Sequence, residues 1–271
     1  VLVLYGCRGA KLSVADEQFA RGEYYNAAST YKKVYNKLRT KEERPQRGIV
    51  AYRMGNCYRL MNNSSRAAAA FQNAIRYKYP DSTAILYLAQ SLHKQGKYVA
   101  AKKAYEEYSA LNPTDTLALI GIEGCNNSIK WKEAPTRYEV KTAKLFNSRR
   151  SDFCPMLYGS DYDQIYITST TEKAMGDKKS EITGMKNADL LVAKKNERGE
   201  WERPEPLEGD FNTEFDEGIV SFSPDGQTMY LTKARRDPNV STSVEIYTST
   251  RSDAQWSAPQ KFEVIPDTLS T

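Results

Sequence analysis

Histidine is all but missing from the 271 residues: His93 stands alone against nineteen tyrosines. One imidazole argues against histidine-based metal sites and histidine-dependent catalytic triads. Cysteine is sparse as well. Cys7, Cys57, Cys125 and Cys154 are too few and too irregularly spaced for a disulfide framework or a zinc site. No apolar run approaches the roughly 18 residues of a membrane-spanning helix. The net charge of +5 is dispersed, with no block of like charges, so nucleic acid is not an expected partner. Nucleophile-elbow, phosphate-loop, zincin and calcium-loop spacings are also missing. The expectation is a chain that is not an enzyme, with no catalytic residue, no metal and no cofactor. Charged residues at 27% and hydrophobic ones at 40% are ordinary for one large or two average domains.

The most organised stretch runs from Asp210 to Phe262. Pro224-Asp225-Gly226 lies between the alternating runs Val220–Phe222 and Met229–Thr232, a strong hairpin signal. An imperfect copy lies upstream. Gln164–Ser169 matches Thr228–Lys233, with Tyr166 in the place of Tyr230, and Phe153 is aligned with Phe215. Ala188–Ala193 matches Val244–Ser249, and Trp201–Leu207 matches Trp256–Phe262. Each copy holds about four strands, the size of one propeller blade. The first copy lacks the Ser-Pro-Asp-Gly turn, having Tyr158–Asp163 there, and carries the longer middle loop, Thr170–Asn187. A short alternating run, Arg137–Lys141, reads as a further strand. Asp161, Asp163 and Asp225 fall in turns, where carboxylates bond nearby amides. Glu214, Asp216 and Glu217 cluster before a strand, either as a cation site or as a solvated blade edge. Phe222–Thr232 and the Trp-x-x-Pro segments resemble the WD-like repeat of TolB-type propellers. Ile265–Thr271 takes the slot that Phe146–Ser148 and Leu207–Thr213 hold before each copy, and two blades close no ring. A fragment of a longer protein is therefore expected.

Residues 9–134 have helical periodicity. Gly22-Glu23-Tyr24-Tyr25-Asn26-Ala27 with Tyr31 matches Gly96-Lys97-Tyr98-Val99-Ala100-Ala101 with Tyr105, and Asn62–Ala67 with Phe71 lies between. The spacing and the Gly, Tyr, Ala, aromatic order resemble the tetratricopeptide repeat, with Gly55, Tyr58 and Pro80 in the second unit and Ala89, Leu92 and Pro113 in the third. A polar insertion around Lys41–Pro45 lengthens the first unit, and Asn62 and Ser64 suggest a looser turn in the second. Asp115–Ser128 reads as a closing helix that ends near Gly124. Such stacks present a groove lined by the first helix of each pair. By register it includes Asp16, Phe19, Tyr52, Asn56, Arg59, Gln90, His93 and Lys94, as partner-binding residues or as merely solvated and packed ones. His93 has no companion for a metal, and Cys57 and Cys125 are expected to be buried thiols.

Val1–Tyr5 followed by Gly6-Cys7 resembles the end of a signal peptide with a lipobox, which implies an acylated Cys7. The alternative is a short buried strand with an incidental cysteine. The fold expected is multidomain, α then β: residues 1–8 signal peptide and lipobox, 9–134 a tetratricopeptide-repeat α-solenoid, and 135–271 the first blades of a β-propeller, about two.

Lipobox, helical repeats and WD-like blades in this order resemble the PorE-like outer-membrane lipoproteins of the Bacteroidota type IX secretion system. The resemblance implies a non-enzymatic scaffold on the periplasmic face of the outer membrane, anchored through Cys7. Its implied partners are proteins of the secretion machinery. It also implies peptidoglycan contact, through an OmpA-like domain not found in this sequence. Two alternatives stay open: a general OmpA-family envelope lipoprotein unrelated to secretion, and the N-terminal part of a propeller-containing serine peptidase.

Overall fold

The computed structural model describes residues 6–237 and 240–263. The apolar run Val1–Tyr5 and the stretch Ile265–Thr271 lie outside the described residues. So does the side chain of Cys7, to which the lipobox reading belongs. The chain divides near Glu139 and Val140 into two compact units, the short segment Glu181–Gly184 counting with the first.

Among its described residues the first unit holds seven helices: α1 (Gly6–Ala20), α2 (Tyr24–Tyr35), α3 (Arg44–Leu60), α4 (Ser64–Arg76), α5 (Thr83–Lys94), α6 (Tyr98–Leu111) and α7 (Thr116–Glu133). Small residues at the crossings let paired helices approach closely. Ala27, Ala67 and Ala101 are each fully buried, and the aromatic four residues on (Tyr31, Phe71, Tyr105) is buried with them. A methyl group on Gly55 would stand 2.7 Å from the Phe71 ring, so the α3–α4 contact requires a bare backbone there. The turns inside the three pairs are alike. Gly22, Asn62 and Gly96 all take left-handed φ angles, of 79°, 56° and 71°. Each turn is closed by two amides that donate back to the preceding helix, as Asn62 N does to Arg59 O and Asn63 N to Tyr58 O. The expected looser turn is thus not found, because asparagine tolerates the left-handed region. α7 also differs from expectation: it is capped by Asp115, which accepts from Leu117 N, and it continues through Gly124 to Glu133.

The second unit holds two antiparallel sheets. The first runs β1 (Asp152–Tyr158), β2 (Gln164–Ser169), β3 (Asp189–Lys194), β4 (Glu205–Pro206) in that spatial order. The second runs β5 (Glu217–Phe222), β6 (Thr228–Asp237), β7 (Val240–Ser252), with β8 (Gln255–Trp256) and β9 (Gln260–Lys261) both on β7. The run Arg137–Lys141 is exposed and forms no strand.

Register confirms the duplication and corrects one of its equivalences. Met156 lies opposite Tyr166, and Ser221 opposite Tyr230, so the two tyrosines do correspond. Phe153 lies opposite Thr168, and Gly218 opposite Thr232, so Phe153 corresponds to Gly218 and not to Phe215. Both first strands carry a bulge at the same place, with Cys154 and Ile219 at φ 51° and 44°. Leu207 N donates to Leu190 O at 2.9 Å in the first copy, and Phe262 N donates to Ile246 O at 2.8 Å in the second.

The sheets share one core, in which Tyr158, Tyr166, Leu190 and Leu207 meet Phe211, Val220, Met229, Leu231 and Tyr247. The indole of Trp256 donates to the Tyr166 hydroxyl, which ties β8 to the first sheet at 3.0 Å. The segment before β5 is the seam. Asn212 is buried; its Oδ1 accepts from Leu190 N at 2.8 Å and its Nδ2 donates to Leu190 O at 3.0 Å. Of the acidic cluster of this segment, Glu214 and Asp216 are exposed, as a solvated edge would be, and only Glu217 is buried. Glu217 is buried and accepts from Thr213 N, Asp216 accepts from Ala188 N, and Glu214 pairs with Lys178.

Candidate partner-binding groove

The first helices of successive pairs are linked side by side. Tyr31 of α2 donates to Asp16 of α1, and Arg53 of α3 donates to both oxygens of the same carboxylate at 2.7 Å. Burial together with this carboxylate lifts the Tyr31 hydroxyl far above the ordinary tyrosine range. Asp16 is therefore an inter-repeat tie.

Further along, the Arg59 guanidinium lies 4.3 Å from the centroid of the Tyr87 ring and donates to Asn56 Oδ1 at 3.2 Å, so that a charge stacked on α5 is held by α3. Lys94 Nζ donates to Asn62 Oδ1 at 3.2 Å. Arg59, Gln90 and Lys94, with Asn62, Ser64 and Ser91, line a small cavity of about 80 Å³. Two cations and several amide and hydroxyl groups around one small opening form a polar recess with a positive bias.

The other expected groove residues lie in packing. Phe19 sits against Tyr24 with ring centroids 5.5 Å apart. Tyr52 stacks on Tyr79 at 4.2 Å, touches Phe71 and Tyr87, and shares a hydrogen bond with Thr83 Oγ1. His93 is wedged between α6 and α7. Its Nδ1 lies 3.4 Å from the Tyr105 hydroxyl and 3.8 Å from Cys125 Sγ, and Tyr98 packs edge-on to its ring. Gly124 belongs to this contact, since a Cβ there would come within 3.1 Å of the imidazole. Cys57 and Cys125 are buried thiols, and burial pushes the Cys57 thiol up to about 12. Phe19, Tyr52 and His93 are thus each engaged in packing, whereas Gln90 and Lys94, with Arg59 stacked on Tyr87, line the recess. Asn62 and Ser64 are groove residues that the register argument missed, because it followed the first helix of each pair, whereas Asn62 stands in the turn and Ser64 opens α4.

The model of the tetratricopeptide repeat family matches residues 50–82 and 83–115. The helical region carries tetratricopeptide repeats. The match takes in the second and third pairs; α1 and α2 lie outside it but repeat their turn geometry and buried Ala–aromatic pattern. Solved structures with a similar fold include the Sgt2 TPR domain from Aspergillus fumigatus, at 20% identity, covering 51% of this chain and 91% of its own, with a TM-score of 0.39. The C-terminal TPR-containing domain of a putative FK506-binding protein from Plasmodium falciparum matches at 15% identity, 47% and 91% coverage and a TM-score of 0.41. The first TPR of Spaghetti, solved with the HSP90 peptide SRMEEVD, matches at 16% identity, 45% and 93% coverage and a TM-score of 0.39. Likeness at this level says nothing about a ligand of the present chain. No curated protein matches the chain.

Proposed function

We propose that the chain is a non-enzymatic scaffold that binds another protein through the recess on the first helices of its tetratricopeptide repeats. The observation that carries this reading is the positively biased polar recess between α3 and α5. Arg59, Gln90 and Lys94 surround an open cavity, while the aromatic residues beside them are used up in holding the stack together. A stacked guanidinium and an ammonium beside amide and hydroxyl donors favour an acidic segment of the partner. Reversing both charges with Arg59→Glu and Lys94→Glu is expected to weaken co-purification of the partner at least about tenfold while the helical circular dichroism stays unchanged. Unaltered co-purification would rule out this recess as the contact.

The second unit we read as successive blades of a β-propeller, one against the next. The resemblance in motif order supports placing the scaffold on the periplasmic face of the outer membrane, anchored by an acylated Cys7, within a type IX secretion machinery. Any peptidoglycan contact would belong to a domain outside this sequence. Cys7→Ala in the full-length precursor is expected to move the protein from the membrane to the soluble fraction, and unchanged fractionation would count against the anchor.

A further inference from the structure

Beside their common core the two sheets part around a crevice of about 710 Å³. Its floor is the pair Tyr166 and Trp256, joined by the indole hydrogen bond at 3.0 Å. One wall belongs to the first sheet, where Tyr166, Val192 and Glu205 lie opposite one another across β2, β3 and β4. Two residues along, Gln164 lies opposite Lys194, and Arg203 stands just before β4. The other wall is the β7–β8 hairpin, which contributes Arg251, Asp253 and Gln255. β9 pairs with β7 further along, at Thr248 and Tyr247, and heads away from the crevice.

Both signs of charge line this crevice without neutralising each other. Lys194, Arg203 and Arg251 form no ion pair among the described residues, and neither do Glu202, Glu208 and Asp253. Glu205, by contrast, pairs with Lys173. The fold holds the charges apart. Arg251 is fixed on the hairpin, where it donates to the Tyr158 hydroxyl. Its guanidinium lies 5.0 Å from the centroid of the Tyr158 ring and 5.6 Å from that of Trp256. Lys194 ends β3 on the facing wall. Gln164 and Gln255 add side-chain amides, which both donate and accept as a peptide backbone does. Sites for small ligands run from roughly 300 to 1,000 Å³, so the space suits a short stretch of peptide.

We propose that this crevice binds a short peptide segment of another protein, one that carries both acidic and basic side chains. Its carboxylates face Arg251, Arg203 and Lys194, and its ammonium or guanidinium groups face Glu202, Glu208 and Asp253. A ligand of one sign satisfies half of the lining and meets like charge in the other half, which selects for mixed sequences. The site is separate from the recess on the helical repeats and does not depend on it.

The test is isothermal titration of the full chain, at low salt, with a capped hexapeptide of alternating glutamate and lysine. Binding is expected, and capped peptides of the same length made only of glutamate or only of lysine should bind at least about tenfold more weakly. Arg203→Glu and Glu208→Lys, both at exposed positions, should each weaken the mixed peptide about fivefold or more while thermal melting stays unchanged. Arg59→Glu with Lys94→Glu should leave it unaffected. No binding of any peptide overturns the proposal, as does equal binding of a single-sign peptide. Binding that survives both crevice substitutions overturns it too. So does binding lost with the Arg59 and Lys94 pair, which would place the peptide in the helical recess. Free glutamate or lysine binding as tightly as the hexapeptide would overturn the peptide assignment.

Discussion

The helical repeats and the sheet repeats dispose of their signature residues in opposite ways. In the helical unit the aligned alanine and the aromatic four residues later are buried in all three pairs, because each pair has a further helix packed against it, α7 in the case of the third. In the β unit the matching residues are buried in one copy and exposed in the next, because a sheet buries one face against the unit that follows it. Among the described residues α7 covers the third helical pair, while Tyr230, Ile246 and Phe262 of the second sheet are left part-exposed. Substitutions at equivalent positions should therefore act alike in the helices and unlike in the sheets.

The largest effect expected is at Tyr166. Truncation to alanine removes a buried ring and leaves the Trp256 indole without its acceptor, at a cost of about 3–5 kcal/mol in denaturant unfolding of the β unit. The equivalent Tyr230→Ala should cost less than about 1 kcal/mol, since its ring is part-exposed. Equal losses at the two sites would break the comparison.

A smaller, pH-dependent effect is expected at Asp189, which opens β3. Its side chain is buried; Oδ2 accepts from Met175 N at 2.6 Å, and Oδ1 has no hydrogen-bond partner. Burial lifts its carboxyl to about 6, against the opposing Met175 amide and Lys186, with Asp216 adding to the rise. A carboxyl raised in the folded state favours folding below its ordinary range near 4, and that contribution is lost as pH rises through about 6. Asp189→Asn removes this loss. Relative to the parent, the variant should gain about 1–3 kcal/mol between pH 4 and pH 7. A parallel pair of stability curves would contradict the buried ionisation.

The smallest effect is at Asn62, whose φ of 56° matches those of Gly22 and Gly96 in the other two turns. Asn62→Gly should change stability by no more than about 0.5 kcal/mol, whereas a β-branched residue there should be clearly destabilising. A large loss with glycine would mean that the contact to Lys94, and not the turn, sets this position.

How far the sequence could be read follows from the same contrast. The helical repeats were legible because their signature is local: a left-handed turn residue, an alanine five residues on and an aromatic four later all lie within one hairpin. The strand pairs were legible from alternation, but their alignment failed at Phe153, whose structural equivalent is Gly218, because matching one aromatic to another drew it to Phe215. The seam was not legible. Asn212 and Glu217 are polar and look like loop residues, and only the fold brings Asn212 to Leu190 and buries Glu217 under its own Thr213. The groove was half legible. Helix register placed Arg59, Gln90 and Lys94 on one surface, but it could not tell that Tyr52 and His93 on the same helices turn into neighbouring helices to pack.

The central claim, that the repeats bind a partner through the recess on their first helices, is tested most directly by hydrogen–deuterium exchange of the full chain with and without a partner that co-purifies with it. The account predicts added protection in the C-terminal halves of α3 and α5 and in the turn at Asn62–Ser64, with α2 and α6 unchanged. Protection confined to α2, α4 and α6, or none anywhere in the helical unit, would contradict it.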